Sequence, residues 1–399
     1  MSRLEELIQE LCPNGVEYKK LGDIGQVKMC KRILKSQTNT IGGIPFYKIG
    51  TFGGEANSFI SKGLYEEYKE KYSYPKIGEI LISAAGTIGR TVVYDGEPAY
   101  YQDSNIVWLS HNESDVLNTF LRYCYELKPW SISSGGTIPR LYNDNILKAK
   151  IPVPPLEVQR EIVRVLDSFT LLTAELTAEL TAELTARKKQ YEYYRDKLLF
   201  SEESNVKSVP LGDIAKFVYG YTDKAKDIGS ARFVRITDIT EDGRLDPYNA
   251  KYIELTTESS KYLLQKGDLL LARTGATYGK TLYFDADEPA VYASFLIKII
   301  LDNSIIKNRY YWHFSKSSLY WEQAERYVSK GGQQQFNTNA VSRVKVPIPS
   351  LEVQDRIIKI LDRFDSLCND ITTGLPAEIE ARQKQYEFYR DKLLSFKQL

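Results

Sequence analysis

Residues 151–169 read IPVPPLEVQREIVRVLDSF, and residues 346–364 read VPIPSLEVQDRIIKILDRF, the same text 195 positions later. Residues 186–199 (ARKKQYEYYRDKLL) return at the same offset as 381–394 (ARQKQYEFYRDKLL), identical at 12 of 14 positions. The chain that precedes each copy is related far more loosely. A duplicated module with one fixed and one divergent part suits a protein that meets two different half-targets on one frame.

The fixed part is helical in pattern. Pro152, Pro154 and Pro155 precede the first copy, and Pro347 and Pro349 the second, where proline costs a helix little because its first N–H groups lack partners. In the second copy Ile357, Leu361, Phe364, Cys368, Ile371 and Leu375 step by 4, 3, 4, 3 and 4, a coiled-coil seam, before Gly374 and Pro376 break or restart the helix. In the first copy Ile162, Leu166, Phe169, Thr173 and Leu176 open with similar spacing, and residues 173–184 are three perfect copies of TAEL. Their leucines (Leu172, Leu176, Leu180, Leu184) recur every fourth residue, advancing about 6 Å along the axis and about 40° around it. The segment is either helical filler or a ruler whose length matters more than its chemistry.

The divergent part also repeats, faintly. The LGDI at 21–24 matches LGDI at 211–214, and FYKIGTF (46–52) can be laid against FVRITDI (233–239). KIGEILISAAGTIGR (76–90) can be laid against KGDLLLARTGATYGK (266–280): β-formers, a Gly/Thr turn, then returning strands at 91–94 and 281–284. That is a hairpin signature. Each half therefore opens with a mixed, strand-rich domain of roughly 130 residues, within the usual domain size.

The 399 residues exceed one core and fit two domains with connectors. Apolar and charged fractions of 43% and 26% are those of a soluble globular protein, and 29 tyrosines favour polar-aromatic surfaces over an aliphatic interior. The net charge is only +1, so a nucleic-acid role needs local positive charge. Cys12, Cys30, Cys124 and Cys368 stand far apart, which suggests reduced thiols and no metal knuckle. Residues 1–10 (MSRLEELIQE) lack a signal-peptide core and no run of 18 apolar residues occurs, so a cytoplasmic location and no membrane partner are expected.

The helical segments have matched lengths, and about 45 residues would reach about 67 Å if unbroken. Neither can bury its stripe alone. Two similar half-chains tend to pack as a fused two-fold dimer, with antiparallel helices and the domains at opposite ends. Duplex DNA has a matching local dyad.

The order of variable domain, PxPPLEVQ helix start, long helix ending QYxxYRDKLL, and all of it again resembles the specificity subunit of Type I restriction-modification systems, from residue 21 to about 396. The TAEL repeats are similar to those of one subgroup of that family. The resemblance implies an α+β fold: two mixed strand-rich target recognition domains separated by two long antiparallel coiled-coil helices, with internal pseudo-two-fold duplication. It implies recognition domains at 1–150 and 209–345, a central helix with TAEL repeats and linker at 151–208, and a distal helix at 346–399. The expected partners are double-stranded DNA, read as a bipartite asymmetric target, two methyltransferase (modification) subunits, and restriction (translocase-nuclease) subunits through the complex. Partners and two local basic surfaces sharing the phosphate contacts would account for the low net charge. The second spacer, 365–380, departs from the pattern in lacking TAEL.

DNA contact calls for Lys, Arg and hydroxyls on phosphates, and Arg, Asn or Gln on base edges. Lys48 and Arg235 occupy matching places in a predicted strand, followed by Thr51 and by Thr237. The turns 86–90 (with Thr87 and Arg90) and 273–280 (Arg273, Thr277, Lys280) combine glycines, threonines and bases, allowing close approach to phosphate, or are ordinary tight turns. The loops 133–140 (SSGGTIPR, with Arg140) and 329–335 (SKGGQQQ, with Lys330, Gln333, Gln334 and Gln335) could read bases or be plain polar loops. Leu166, Phe169, Leu176, Leu180, Leu184, Tyr191, Tyr194, Leu198, Leu361, Phe364, Tyr386, Tyr389 and Leu393 fit a coiled-coil or partner interface.

Rival classes fare worse. The chain has no Asn/Asp-Pro-Pro-aromatic motif of a base amino-methyltransferase, no GxxxxGK[ST] loop and no zinc spacing. His313, in YYWHF (310–314), reads as a packed ring, and Asp242 and Asp246 as loop carboxylates. A non-catalytic subunit without cofactor or metal is expected. The alternative, a coiled-coil protein scaffold, gives no reason for two differing domains.

Overall fold

Each copy of the loosely repeated region folds into the same sheets, strand for strand. A computed structural model describes residues 2–132, 139–200, 206–329, 334–370 and 373–399. It divides into two units, Met1–Leu176 with Ala381–Leu399, and Thr177–Glu380. In the first, Gln26–Lys28, Ile106–Ser110, Ile80–Ser83 and Thr91–Val93 form, in that order, a four-stranded antiparallel sheet. Phe59–Ile60, Ile44–Tyr47 and Tyr100–Tyr101 form a smaller sheet whose last pair is parallel. In the second unit Ala215–Tyr219, Leu296–Leu301, Leu269–Ala272 and Thr281–Tyr283 repeat the first sheet. Tyr252–Ile253, Ala231–Val234 and Ala290–Tyr292 repeat the second, parallel pair included. An antiparallel ribbon closes each domain, Glu17–Lys20 on Lys150–Val153 and Ser208–Pro210 on Lys345–Pro347.

Strands Ile80–Ser83 and Leu269–Ala272 are buried throughout, and apolar but for Ser83, because both of their faces are covered. Side chains alternate across a strand, so Ile80 and Ile82 enter a core shared with helices while Leu81 enters the core under the small sheet. Leu269 and Leu271, against Leu270, divide in the same way. The expected hairpins therefore form, with one amendment to the gap-free alignment. Ser83 and Ala272 hold equivalent places, as do Arg90 and Lys280, since Ser83 N–H donates to Arg90 O as Ala272 N–H does to Lys280 O. The second turn is thus one residue longer. Its Gly279 (φ +81°) and the first turn's Gly89 (φ +79°) each lie against a tryptophan, where a Cβ would stand 3.0 Å from Trp321 and 3.2 Å from Trp130. Those glycines serve internal packing.

The tyrosines correct the surface expectation. Tyr100, Tyr123, Tyr125, Tyr310, Tyr311 and Tyr320 are among the largest fully buried side chains. Edge-to-face pairs such as Tyr74–Tyr94 (5.6 Å) show how such rings fill a core.

The central helix, Leu156–Leu199, is unbroken for 44 residues and contributes to both units. The second copy is two helices, Leu351–Asn369 and Leu375–Leu393. The interruption falls where Gly374 and Pro376 predict it. Gly374 N–H donates to Asp370 O at 2.9 Å, and a Cβ there would lie 2.6 Å from the Ser366 carbonyl oxygen. Ile371 lies outside the described residues.

The repeated LEVQ block fastens helix to domain. Val158, Ile162 and Leu166 are wholly buried in the first core, as Ile357 and Leu361 are buried in the second. The glutamine is a clamp: Gln159 Nε2 donates to Asp115 O (2.6 Å) and Pro154 O (2.8 Å), and its Oε1 accepts from Leu117 N–H (2.9 Å). Gln354 repeats the three bonds with Ile305 O (2.9 Å), Pro349 O (3.0 Å) and Lys307 N–H (2.9 Å).

Within each unit the helices run antiparallel. In the first, Phe169 packs on Tyr389, and the Thr170 hydroxyl lies 3.1 Å from that of Tyr386. In the second, Phe364 packs on both Tyr191 and Tyr194. Leu184 and Leu198 border the second core and Leu393 the first, while Leu176 and Leu180 are half-buried.

A polar cluster accompanies the second seam. His313 is fully buried, its Nε2 2.8 Å from Asp362 Oδ1 and its Nδ1 3.1 Å from the Tyr191 hydroxyl. Burial pushes the imidazole down to about 4, so at neutral pH this is a neutral ring donating to a carboxylate rather than an ion pair. Burial also pulls Lys316 down to about 7, although Asp365 lies 3.1 Å away and resists. Asp365, also paired with Arg244, is held below the usual carboxylate value by its two cations against the opposite pull of burial.

Candidate nucleic-acid interface

In the first domain the strand Ile44–Tyr47 ends and Lys48 follows it. The Tyr47 carbonyl accepts from Gln102 N–H at 2.9 Å, which sets the 48–52 loop beside the 102–105 loop. Between them opens a cleft of about 310 Å³ lined by Arg32, Lys35, Lys48, Arg140 and Asp103, four cations against one carboxylate. Thr51 turns inward, its hydroxyl bonded to the Lys48 backbone. Two of the expected DNA-contact residues, Lys48 and Arg140, are thus brought together. Arg32 and Lys35 belong to the basic run Lys28, Lys31, Arg32 and Lys35, a signal in the sequence that the motif comparison between the two halves passes over.

Arg90 and Thr87 stand elsewhere. Arg90 Nη1 donates to Phe52 O at 2.7 Å, and the Thr87 carbonyl accepts from Ser83 Oγ. Both side chains are exposed.

In the second domain Arg235 follows the strand Ala231–Val234 as Lys48 follows its own, and the Val234 carbonyl accepts from Ala293 N–H at 2.9 Å. Both bases were expected inside the strand; each lies one residue past it, because the partner strand's loop takes the last carbonyl. Arg235 is largely consumed: its guanidinium grips Asp238 (2.6 and 3.1 Å) and Asn249 O (3.2 Å), while Thr237 Oγ1 donates to Asp238 at 3.3 Å. Lys280 pairs with Glu241 at 2.5 Å and lines a different cleft. Arg273 stays close to Gln334 and Gln335, because Thr274 Oγ1 donates to Gln334 O and Thr274 bridges to Gln335. Thr277 has a buried hydroxyl. Lys330 and Gln333, and residues 133–138 of the first loop, lie outside the described residues.

Two aromatic rings flank Arg273 at 5.3 Å (Tyr219) and 5.4 Å (Phe295), and they are 40% and 52% exposed. Exposed aromatics beside a base suit a polyanion with flat edges. Among the described residues no cluster of three metal-ligating side chains occurs, and no helix is long and apolar enough to cross a membrane.

These two domains, copies of one topology, have counterparts in known proteins. A family model described as the Type I restriction modification DNA specificity domain matches the chain twice, over residues 13–186 and 203–381. The chain belongs to that family, the specificity subunits of type I restriction-modification systems. The EcoR124I/EcoR124II specificity subunit of Escherichia coli is 36% identical over 302 residues, 71% of this chain and 72% of that one. A putative type I specificity subunit of Haemophilus influenzae, S.HindORF215P, is 57% identical over 180 residues, 45% of this chain; the match spans about half (47%) of that protein's length. In fold, the chain is similar to one from a solved type I R-M system, with TM-score 0.67 and 15% identity over 96% of this chain and 98% of that one. The HsdS subunit from Thermoanaerobacter tengcongensis gives a TM-score of 0.53 and 14% identity over 96% and 97%.

Proposed function

We propose that this chain directs a type I methyltransferase/endonuclease to a bipartite, asymmetric DNA sequence and takes no catalytic part itself. The recognition domains, bounded at 1–150 and 209–345, each read one half-site. The helices of 151–208 and 346–399 fix the gap between half-sites and dock two methyltransferase subunits, to which restriction subunits add, in the cytoplasm. One observation carries this reading: the two domains share every strand and its direction, yet differ in the side chains beyond the strand ends. Lys48 lines a basic cleft where Arg235 is neutralised by Asp238, and Ala84 stands where the second domain has Arg273. One backbone with two chemistries suits two different half-sites.

The near-identity of residues 186–199 and 381–394 supports two copies of one partner on equivalent surfaces. Modified-base sequencing of DNA from cells expressing this chain with its methyltransferase subunit tests the proposal. The expected result is a split asymmetric motif with a fixed gap, lost when this chain is omitted. No motif beside a folded, active methyltransferase would favour a protein scaffold instead.

A further inference from the structure

Ala84 and Arg273 occupy the same backbone position in the two domains. Ala84 N–H donates to Asn105 O (2.7 Å) and its carbonyl accepts from Leu141 N–H (2.9 Å). Arg273 N–H donates to Phe295 O (3.1 Å) and its carbonyl accepts from Phe336 N–H (2.7 Å). The residue preceding Leu141 is Arg140, and the residue preceding Phe336 is Gln335. Each domain therefore has one arginine in this two-residue neighbourhood, supplied from opposite sides. In both, the guanidinium is tied to the loop that leaves the parallel strand: Arg140 Nη2 donates to Ser104 O (2.7 Å), and Arg273 Nε donates to Ser294 O (3.1 Å). Two unlike chain segments bring a guanidinium to the equivalent carbonyl, Arg140 through a terminal nitrogen and Arg273 through Nε.

Arg273 is the more completely held. Its backbone is fixed on both sides and its Nε is anchored. Its guanidinium carbon lies 5.3 Å from the Tyr219 ring centroid and 5.4 Å from that of Phe295, and the Tyr219 hydroxyl is in turn 3.3 Å from Thr338 Oγ1. No carboxylate pairs with it among the described residues, whereas Arg232, Arg235, Arg244 and Arg309 each grip one. With Nε occupied, the two terminal nitrogens remain as a fork whose plane is set before any ligand arrives. A phosphate takes a mobile lysine as well as a guanidinium, and it does not require a donor plane fixed in advance. A fixed planar fork instead matches two acceptors side by side, and among base edges the guanine O6/N7 pair presents that pattern in the major groove.

We propose that Arg273 recognises a guanine in the half-site of the second domain, and that Arg140, tethered at the equivalent carbonyl, does so in the half-site of the first. This rests on the DNA-recognition reading above. The test uses the full chain in complex with its methyltransferase subunit, with Arg273→Ala, Arg273→Lys and Arg140→Ala compared by modified-base sequencing. Arg273→Ala and Arg273→Lys are both expected to relax one guanine of one half-site, by about tenfold to a hundredfold in discrimination, with the other half unchanged. Arg140→Ala is expected to do the same in the other half only. Should Arg273→Lys behave as wild type while Arg273→Ala weakens all sites evenly, the residue is a phosphate anchor and the proposal falls. An unchanged motif in Arg273→Ala also overturns it. Where a variant does not fold, wild-type complex is given oligonucleotides with 7-deazaguanine at single positions. Loss of methylation at one guanine per half-site supports the assignment, and indifference at every guanine defeats it. If wild type yields no split motif at all, the functional reading has failed rather than this one.

Discussion

Phe169 and Tyr389 meet edge to face with ring centroids 5.9 Å apart, and the pair that duplication makes of them, Phe364 and Tyr194, stacks at 5.7 Å. Each contact joins a residue of one copy to a residue of the other, and the two contacts are reciprocal. That is the signature of an isologous interface, here built inside a single chain. The fixed blocks are constrained from both directions, because a change in either copy alters one contact without its twin. The recognition domains meet no such constraint and have diverged.

The glutamine of the LEVQ block is expected to be the costliest polar residue of the frame. Gln354→Ala leaves the Lys307 N–H and the Ile305 and Pro349 carbonyls without their partner in a buried place. A loss of about 2–4 kcal/mol follows, read as a fall of several degrees in melting temperature by calorimetry. A change below half a degree would remove the clamp from the account.

Acid should weaken the second unit through His313. Its imidazole is held near 4, below the usual 6.5, so the unfolded chain takes up the proton first. Stability therefore falls as pH drops from about 6.5 towards 4, by at most roughly 3 kcal/mol. The groups facing the ring are Asp362 and Arg309, the Tyr191 hydroxyl, and Lys316. Lys316, near 7, is protonated in both states below that pH and adds no slope in this window. Urea midpoints from pH 7.5 to 4.5 should slope less in His313→Gln than in wild type; parallel curves would place the acid sensitivity elsewhere.

At one equivalent position the two domains meet the helices with opposite charge. In the first unit Glu126 lies 3.3 Å from Arg390; at the position equivalent to Glu126, the second unit places Lys316, 3.1 Å from Asp365. Glu126→Lys would set a second cation beside Arg390, whose side chain is only 15% exposed. The expected cost is about 1–2 kcal/mol, discounted for partial exposure. Pulse proteolysis should show earlier cleavage within residues 1–150, and uniform resistance would contradict the pairing.

Deleting one repeat, residues 177–180, should leave both half-sites unchanged and narrow the gap between them. Four residues remove about 6 Å of helix, which corresponds to one or two base pairs at about 3.4 Å each. An altered half-site with an untouched gap, found by methylation mapping, would end the ruler idea.

How much of this was legible in the sequence divides along a physical line. Features written in local spacing were readable: the seam from Ile357 to Cys368, the break at Gly374, the hairpins before Arg90 and Lys280. Features that depend on a partner far along the chain were not. The Gln354–Lys307 bond spans 47 residues, and the tether of Arg273 to Ser294 depends on a hairpin register that no pattern encodes. Tyrosine misled for the same reason, since whether its hydroxyl finds an internal acceptor, as Tyr310 finds Pro347 O at 3.1 Å, is decided by packing. The basic cleft is assembled from loops, each with one or two cations, and only folding adds them together.

One helix of the second copy ends at Asn369 and the next begins at Leu375, and Leu184 of the last TAEL repeat borders the core that also holds Cys368. A continuous partner helix would have to keep step, turn for turn, with every repeat gained or lost. Two shorter helices would not have to, and on the ruler reading the break between them would serve as an expansion joint. Repeats could then be gained or lost in the unbroken helix with no matching change in its broken counterpart, and geometry would become a property that changes independently of chemistry.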